Sequence, residues 1–357
     1  MGIYWVFFIV LFISYNTIHP NRSERNLTFW NFTMGFFVFL LFAFRNISMG
    51  LHDVYDSYAP TYQYLGTISF GTIFTRYSSD WLFYIVSKFI RIFTENTNVW
   101  MAFMALPICI AVGKLIRSCS FSPWISWILF FSLGFFSVNI TVMRQSVAMA
   151  FVILAVLQLD VQNIRRAFLY AIIASLFHLT AVVVIIPIII YLIKPKLTLK
   201  KIVVIVGVSL VTWGLSSIVV NWLFDHISML RFQRYLLHLS SFNITMFLVF
   251  LSIFIYSALT IYISDKGQEV FNYDTAFIFI LGCGLPFYAL TSSFADLYRI
   301  GLYFSIFGII TVPNALMRIR RPITRLAVGT VILTVVLLYA FSRGLADVSP
   351  YITCWSN

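Results

Sequence analysis

NITVMRQSVAMAFVILAVLQLDVQNIRRAFLYAIIASLFH, residues 139–178, is the stretch whose reading decides the fold. Arg144 opens an apolar run, Asp160, Arg165 and Arg166 mark a polar turn, and a second apolar run ends on His178. Two hydrophobic segments joined by a basic turn predict a transmembrane helical hairpin. The basic turn belongs on the cytoplasmic side, which puts Arg144 and His178 together at the outer end. A charge at the centre of a membrane helix costs about 2.5–3.5 kcal/mol on insertion scales, so ionisable groups at that depth are candidates for function.

The rest of the chain has the same character. Of its 357 residues, 61% are hydrophobic and only 10% are charged. A soluble domain carries about 25% charged residues. The fold class expected is all-α: a polytopic transmembrane bundle forming a single membrane domain over 1–357, with outer loops shaping a cavity. Apolar segments near 3–19, 28–44, 98–116, 122–139, 144–159, 166–178, 179–193, 202–223, 244–263, 275–292, 297–315 and 323–341 give about twelve spans. The opening residues MGIYWVFFIVLFISY lack a basic leader and a small-residue cleavage site, so they read as a retained span.

Basic clusters set the sides. Arg22/Arg25, Lys114/Arg117, Arg165/Arg166, Lys194/Lys196/Lys200/Lys201, Lys266 and Arg318/Arg320/Arg321/Arg325 all fall in short loops of one side. That bias accounts for the net charge of +12 without invoking nucleic acid as a partner. Residues 80–93, DWLFYIVSKFIRIF, are apolar but short and carry Lys88 and Arg91. If they spanned, every later loop would flip, so they read as an amphipathic helix lying on the outer leaflet. The run 166–193 has no polar turn, only His178, and each half is short. A broken helix pair with its break at His178 is expected, and such a break is tolerated only where it lines a cavity or is buried in protein. Four cysteines are scattered without CxxC or Cys/His spacing, so neither a disulfide framework nor a zinc site is indicated.

Sorted by side, the outer end receives Arg45, Asp53, Asp56, Arg144, His178, Asp225, His226, Arg231, Arg234, His238, Asp296 and Arg299. Every histidine except His19 is among them or beside them. Arg144, with Gln145 next to it, is either a snorkelling arginine or a bidentate phosphate clamp. Ser146 and Ala150, four apart, favour close helix packing there. Asp296, Arg299 and Tyr303 share a helix face, as a local ion pair with an interfacial tyrosine or as a second phosphate-contacting arginine held by its aspartate. Gly301 and Gly308 on the same helix imply tight packing. Arg231 and Arg234 form a basic stripe that contacts headgroups or recruits a pyrophosphate. His178 is a hydrogen-bonded core residue or a general base. Asp53 and Asp56 read as a glycosidase-like carboxylate pair, as metal ligands with His52, or as a single carboxylate placing a sugar hydroxyl. The tyrosine- and aspartate-rich segment 45–97 has the composition of a carbohydrate-contacting surface.

Taken in order, these residues resemble a known family. Arg45, then GLHD ending at Asp53 and followed by Tyr58, then RQSVAMA from Arg144, then ASLFH ending at His178, then LYRIGLYF with Arg299 and Tyr303, are similar to the pattern of the EpsG family of bacterial Wzy-type polysaccharide polymerases. The first motif departs from that pattern, since the interval from Arg45 to Gly50 is longer and Gly-Leu-His-Asp stands for Gly-x-Asp. The family's acid therefore falls on Asp53 or Asp56, with Asp53 preferred. The resemblance implies a multi-pass enzyme of the bacterial inner membrane with its site facing the periplasm. It would transfer a growing polyprenyl-pyrophosphate-linked glycan onto the non-reducing end of the next lipid-linked unit, making O-antigen, capsule or exopolysaccharide. Its partners would be undecaprenyl-pyrophosphate-linked oligosaccharides, membrane lipids and a chain-length regulator, with no cofactor, no metal and no nucleic acid. Arg144 and Arg299 would stabilise the leaving pyrophosphate, and His178, with Asp53 second, would activate the acceptor. Arg45, Tyr58, Gln145, Arg231, Arg234, Asp296 and Tyr303 would contact pyrophosphate or sugar. The expectation is that these distant residues converge in one pocket. A ligase of related chemistry, or a flippase or transporter, are the competing classes. A transporter should show internal repeats, and none is visible.

Overall fold

The computed structural model describes residues 2–49, 57–77, 79–226, 244–264, 271–342 and 351–355. These are predominantly helical, and no strand occurs among them beyond an isolated antiparallel bridge between Arg45 and Thr353. The helices are α1 (Gly2–Ile18), α2 (Glu24–Ala43), α3 (Ala59–Leu65), α4 (Phe70–Arg76), α5 (Trp81–Phe93), α6 (Thr97–Cys119), α7 (Pro123–Ser132), α8 (Phe135–Thr141), α9 (Met143–Asp160) and α10 (Ile164–Phe177). There follow α11 (Ile185–Ile193), α12 (Leu199–Gly214), α13 (Ser216–His226), α14 (Thr245–Ser264), α15 (Tyr273–Leu290), α16 (Tyr298–Ser305), α17 (Gly308–Met317) and α18 (Pro322–Ser342).

Helical structure lies at each apolar segment, but the lengths differ from the expected spans. Among the described residues six helices, α2, α6, α9, α14, α15 and α18, are by themselves long and apolar enough to cross a membrane. Three pairs, α7–α8, α12–α13 and α16–α17, are bent by 53°, 73° and 49°, and counting each as one span gives up to nine. The reading of about twelve also counted α1, α10 and the run Leu179–Ile193, which are shorter. The difference arises because these three segments were counted on apolar character, whereas α1 has 17 residues, α10 has 14, and none matches the length of the six.

The chain forms two compact units. The first comprises Met1–Ile185 with Gly329–Asn357, and the second Ile186–Val328. In the first, the hairpin expected from residues 139–178 is α9 and α10. Its turn holds Gln162 at φ 59°, and Asn163 caps α10 by accepting from the Arg166 amide at 3.2 Å. α9 packs on both α10 and α6, and α2 packs on α6. Ser146 and Ala150 are buried, 3% and 0% exposed, as their small size allows. α5 is the amphipathic helix expected over 80–93. It turns Phe83, Tyr84, Ser87 and Lys88 inward and leaves Phe89, Ile92 and Phe93 exposed. Its inward face is fixed by Trp100 Nε1 donating to Ser87 Oγ at 3.1 Å and by Lys88 Nζ donating to the Leu65 carbonyl at 2.9 Å.

In the second unit α15 is the most enclosed of the long helices and packs on α12, α14, α16 and α17. Its approach to α16 depends on glycine. A Cβ on Gly301 would meet the Tyr288 ring at 2.9 Å, and one on Gly284 would meet Phe304 Cβ at 2.8 Å. At one end of the unit, buried Asp274 accepts from Arg318 Nη2 and Asn314 Nδ2, both at 2.7 Å, tying α15 to α17.

Candidate active site

The chain breaks where the sequence placed the break. α10 ends at Phe177, His178 is extended (φ −156°, ψ 119°), and a 3-10 helix runs from Leu179 to Val184. A break at that point frees backbone groups that need partners. The Leu179 amide finds one outside its own helix, donating to Asp80 Oδ1 at 2.8 Å. Asp80 precedes α5 with φ 60°, the left-handed region that short polar side chains tolerate best among residues with a Cβ.

The same carboxylate collects two more groups. Arg144 Nη1, from the first turn of α9, donates to Asp80 Oδ2 at 2.8 Å. His178 Nδ1 lies 3.3 Å from that oxygen. The Asp80 side chain is 3% exposed, whereas Arg144 and His178 keep 26% and 21% of theirs open. The acid is thus the buried hub, and the cation and the imidazole are its accessible ends. Two tyrosines complete the cradle of the guanidinium. Tyr84 OH accepts from Nη1 at 3.2 Å and Tyr58 OH from Nε at 3.3 Å. Both rings lie within cation–π reach of Arg144 Cζ, at 5.6 Å for Tyr58 and 6.0 Å for Tyr84. Tyr77 stacks on Tyr84 with ring centroids 3.6 Å apart.

The electrostatics follow from this packing. Burial by itself would raise the Asp80 carboxyl. The hydrogen bond and charge of His178, the charge of Arg144 and the Leu179 amide outweigh it and hold the group below its ordinary range. Burial raises the Tyr84 phenol against the pull of Arg144, so it remains a neutral hydrogen-bonding group. With an ionised acid at Nδ1, the hydrogen of a neutral imidazole sits on Nδ1, an assignment from the network. Nε2 is then left as the proton acceptor.

Arg144 and His178, grouped together in the sequence reading, meet at one carboxylate, Asp80, and Tyr58 joins them through Arg144. Asp53, Arg231 and Arg234 lie outside the described residues, as do Asp56 and His238. Gln145 is buried, 2% exposed, beside Arg144 in α9. Arg45 is also buried, with Nη1 donating to the Ile140 carbonyl and Nη2 to Met101 Sδ. Arg299 belongs to the second unit, where Nε lies 3.3 Å from Asp296 Oδ1 with both side chains about one-third exposed, and Tyr303 on the same helix is buried. The sequence reading missed Asp80, Tyr84 and Tyr77. Asp80 stood in view as the polar first residue of an amphipathic segment, but its partners lie 64 and 98 residues away. No local pattern joins them.

Comparison with known proteins bears on the whole chain. A family model described as the EpsG family matches residues 27–353, nearly its full length. The comparison with curated proteins and the comparison with solved structures each return no match. The matched range contains every residue of the Asp80 cluster, and on its extent the chain belongs to the EpsG family, a family of Wzy-like polysaccharide polymerases.

Proposed function

We propose that this polysaccharide polymerase is a membrane glycosyltransferase that joins lipid-linked oligosaccharides at the outer, periplasmic face of a bacterial inner membrane. The growing glycan leaves its polyprenyl pyrophosphate and is transferred to the non-reducing end of the next lipid-linked unit. The acceptor hydroxyl attacks the anomeric carbon, the bond from that carbon to the pyrophosphate oxygen breaks, and the hydroxyl proton passes to His178 Nε2. The leaving pyrophosphate gathers negative charge as the bond breaks, and the guanidinium of Arg144 offsets that charge. A fixed cation suits this task, since removing one such stabilising group typically lowers rates by about 10²–10³. No metal is required for these steps.

The observation that carries the reading is the Asp80 bridge. One buried carboxylate holds a guanidinium at 2.8 Å and an imidazole at 3.3 Å, so a base for the acceptor and a cation for the leaving group stand side by side. Tyr58 and Tyr84 are buried and hold the guanidinium, while half-buried Tyr77, stacked on Tyr84, offers an aromatic ring of the kind that packs against sugars. In the second unit, Arg299 held by Asp296 is proposed separately as a phosphate-binding group. Asp53 retains the role implied by the family pattern, and Arg231 and Arg234 retain the pyrophosphate role read from their spacing.

The test is complementation of a strain lacking the chain, with surface glycan resolved on a gel. Arg144→Ala and His178→Ala should each collapse the ladder to single units while lipid-linked oligosaccharide accumulates on the outer leaflet. Full-length ladders from both variants at normal abundance would overturn the site. Accumulation on the inner leaflet would assign the chain to lipid translocation instead.

A further inference from the structure

Far from the Asp80 cluster in sequence, residues 351–355 return to the end of α2. The Asn46 amide donates to the Ile352 carbonyl, and the Cys354 amide donates to the Phe44 carbonyl, each at 2.8 Å. Arg45 and Thr353 form the bridge between them. Tyr351 OH donates to the Leu41 carbonyl at 2.7 Å, in the last turn of α2 where helical carbonyls lack partners of their own. The Phe44 and Trp355 rings lie 5.0 Å apart. A short segment that makes this many directed contacts with a single turn is fixed to that turn.

The turn presents Arg45. Its side chain is 2% exposed and pairs with no described carboxylate. It donates instead to the Ile140 carbonyl near the end of α8, a helix of only 7 residues. A cation there satisfies an orphan carbonyl and complements the helix dipole. Val142 alone separates α8 from α9, and its carbonyl accepts from the Ser146 amide at 2.8 Å. Arg144 extends from that first turn of α9. Arg45, Asn139, Met143 and Ser146 share the wall of one small cavity. Burial lowers the Arg45 guanidinium to about 10, which marks how little solvent reaches it.

We propose that the segment Tyr351–Trp355 is an intramolecular clamp that seats Arg45 and, through the Ile140 carbonyl, fixes the α8–α9 turn that aims Arg144. This makes Arg45 a positioning residue. The consequence for rate rests on the polymerase reading above, whereas the clamp itself does not.

Cys354→Pro removes the amide that donates to Phe44, and Cys354→Ala keeps it. Tyr351→Phe removes only the bond to Leu41 and serves where the proline variant does not reach the membrane. Hydrogen exchange in full-length protein should rise in peptides covering residues 138–146 for Cys354→Pro and Tyr351→Phe, and not for Cys354→Ala. Unchanged exchange there in both test variants overturns the clamp whatever the reaction is. In a transfer assay with lipid-linked oligosaccharide, Cys354→Pro should lower kcat about 10- to 100-fold at little change in KM, the size expected when a reacting group is misplaced. In an Arg144→Ala background it should add nothing. A further loss of equal size in that background would make the segment a general stabiliser and overturn the positioning role. Raised exchange in an enzyme whose wild type transfers no glycan would leave the clamp standing and defeat the polymerase reading alone.

Discussion

Replacing Asp80 by Asn is the most informative single change, because it keeps shape and alters only what the hub offers. Oδ1 can still accept from the Leu179 amide at 2.8 Å, so the break after α10 is preserved. The amide nitrogen then occupies the place of Oδ2, 2.8 Å from Arg144 Nη1 and 3.3 Å from His178 Nδ1. Against Arg144, a donor meets a donor. Against His178, Nδ1 must now accept, which moves the imidazole hydrogen to Nε2 and removes the proton acceptor the reaction uses. Losing a general base costs about 10²–10⁴ in rate. In stability, a hydrogen bond to a charged group is worth about 1.5–3 kcal/mol. The full cost of breaking a buried pair, about 3–5 kcal/mol, does not apply because Arg144 keeps 26% of its side chain in contact with the surroundings. The variant should therefore fold and reach the membrane, melt a few degrees lower in detergent, and transfer glycan at least about 100-fold more slowly. Single-turnover transfer between two labelled lipid-linked oligosaccharides measures the rate apart from abundance. Wild-type turnover by Asp80→Asn, at matched protein level, would refute the tautomer argument and remove His178 as the base.

The depressed Asp80 carboxyl also fixes a pH dependence. Because its folded value lies below the ordinary 3.8, its contribution to stability is complete above about that pH and fades as pH falls through the lower folded value. The melting difference between wild type and Asp80→Asn should not shrink from neutrality down to about pH 4 and should shrink below it; a difference that shrinks between pH 7 and 5 would contradict the assigned environment. In the second unit, Gly301→Leu should lower stability by about 1–3 kcal/mol, since overpacking must displace the Tyr288 ring that a Cβ would already meet at 2.9 Å. A melting temperature equal to that of wild type would show that α15 and α16 can separate without cost.

What the residues determined alone is the class of the protein. A chain with 61% hydrophobic and only 10% charged residues has few folded options outside a membrane bundle. The hairpin of α9 and α10, the break at His178 and the short amphipathic α5 were legible because each depends on local spacing: a run length, a missing polar turn, a period of charges. The motifs around Arg144, His178 and Arg299 carried the family for the same reason. Tertiary structure alone showed that Asp80 joins Arg144 and His178. Asp80 meets Arg144 and His178 only because α5, α9 and the end of α10 pack together, and its left-handed backbone turns the carboxylate toward all three of its partners. It also decided that Arg45 spends its charge on a backbone carbonyl, and that residues 352–354 pair with the turn that carries it. Hydrophobic periodicity records which face of a helix is apolar, but it holds no record of which distant helix lies against that face, and a buried charge is assigned by its neighbours.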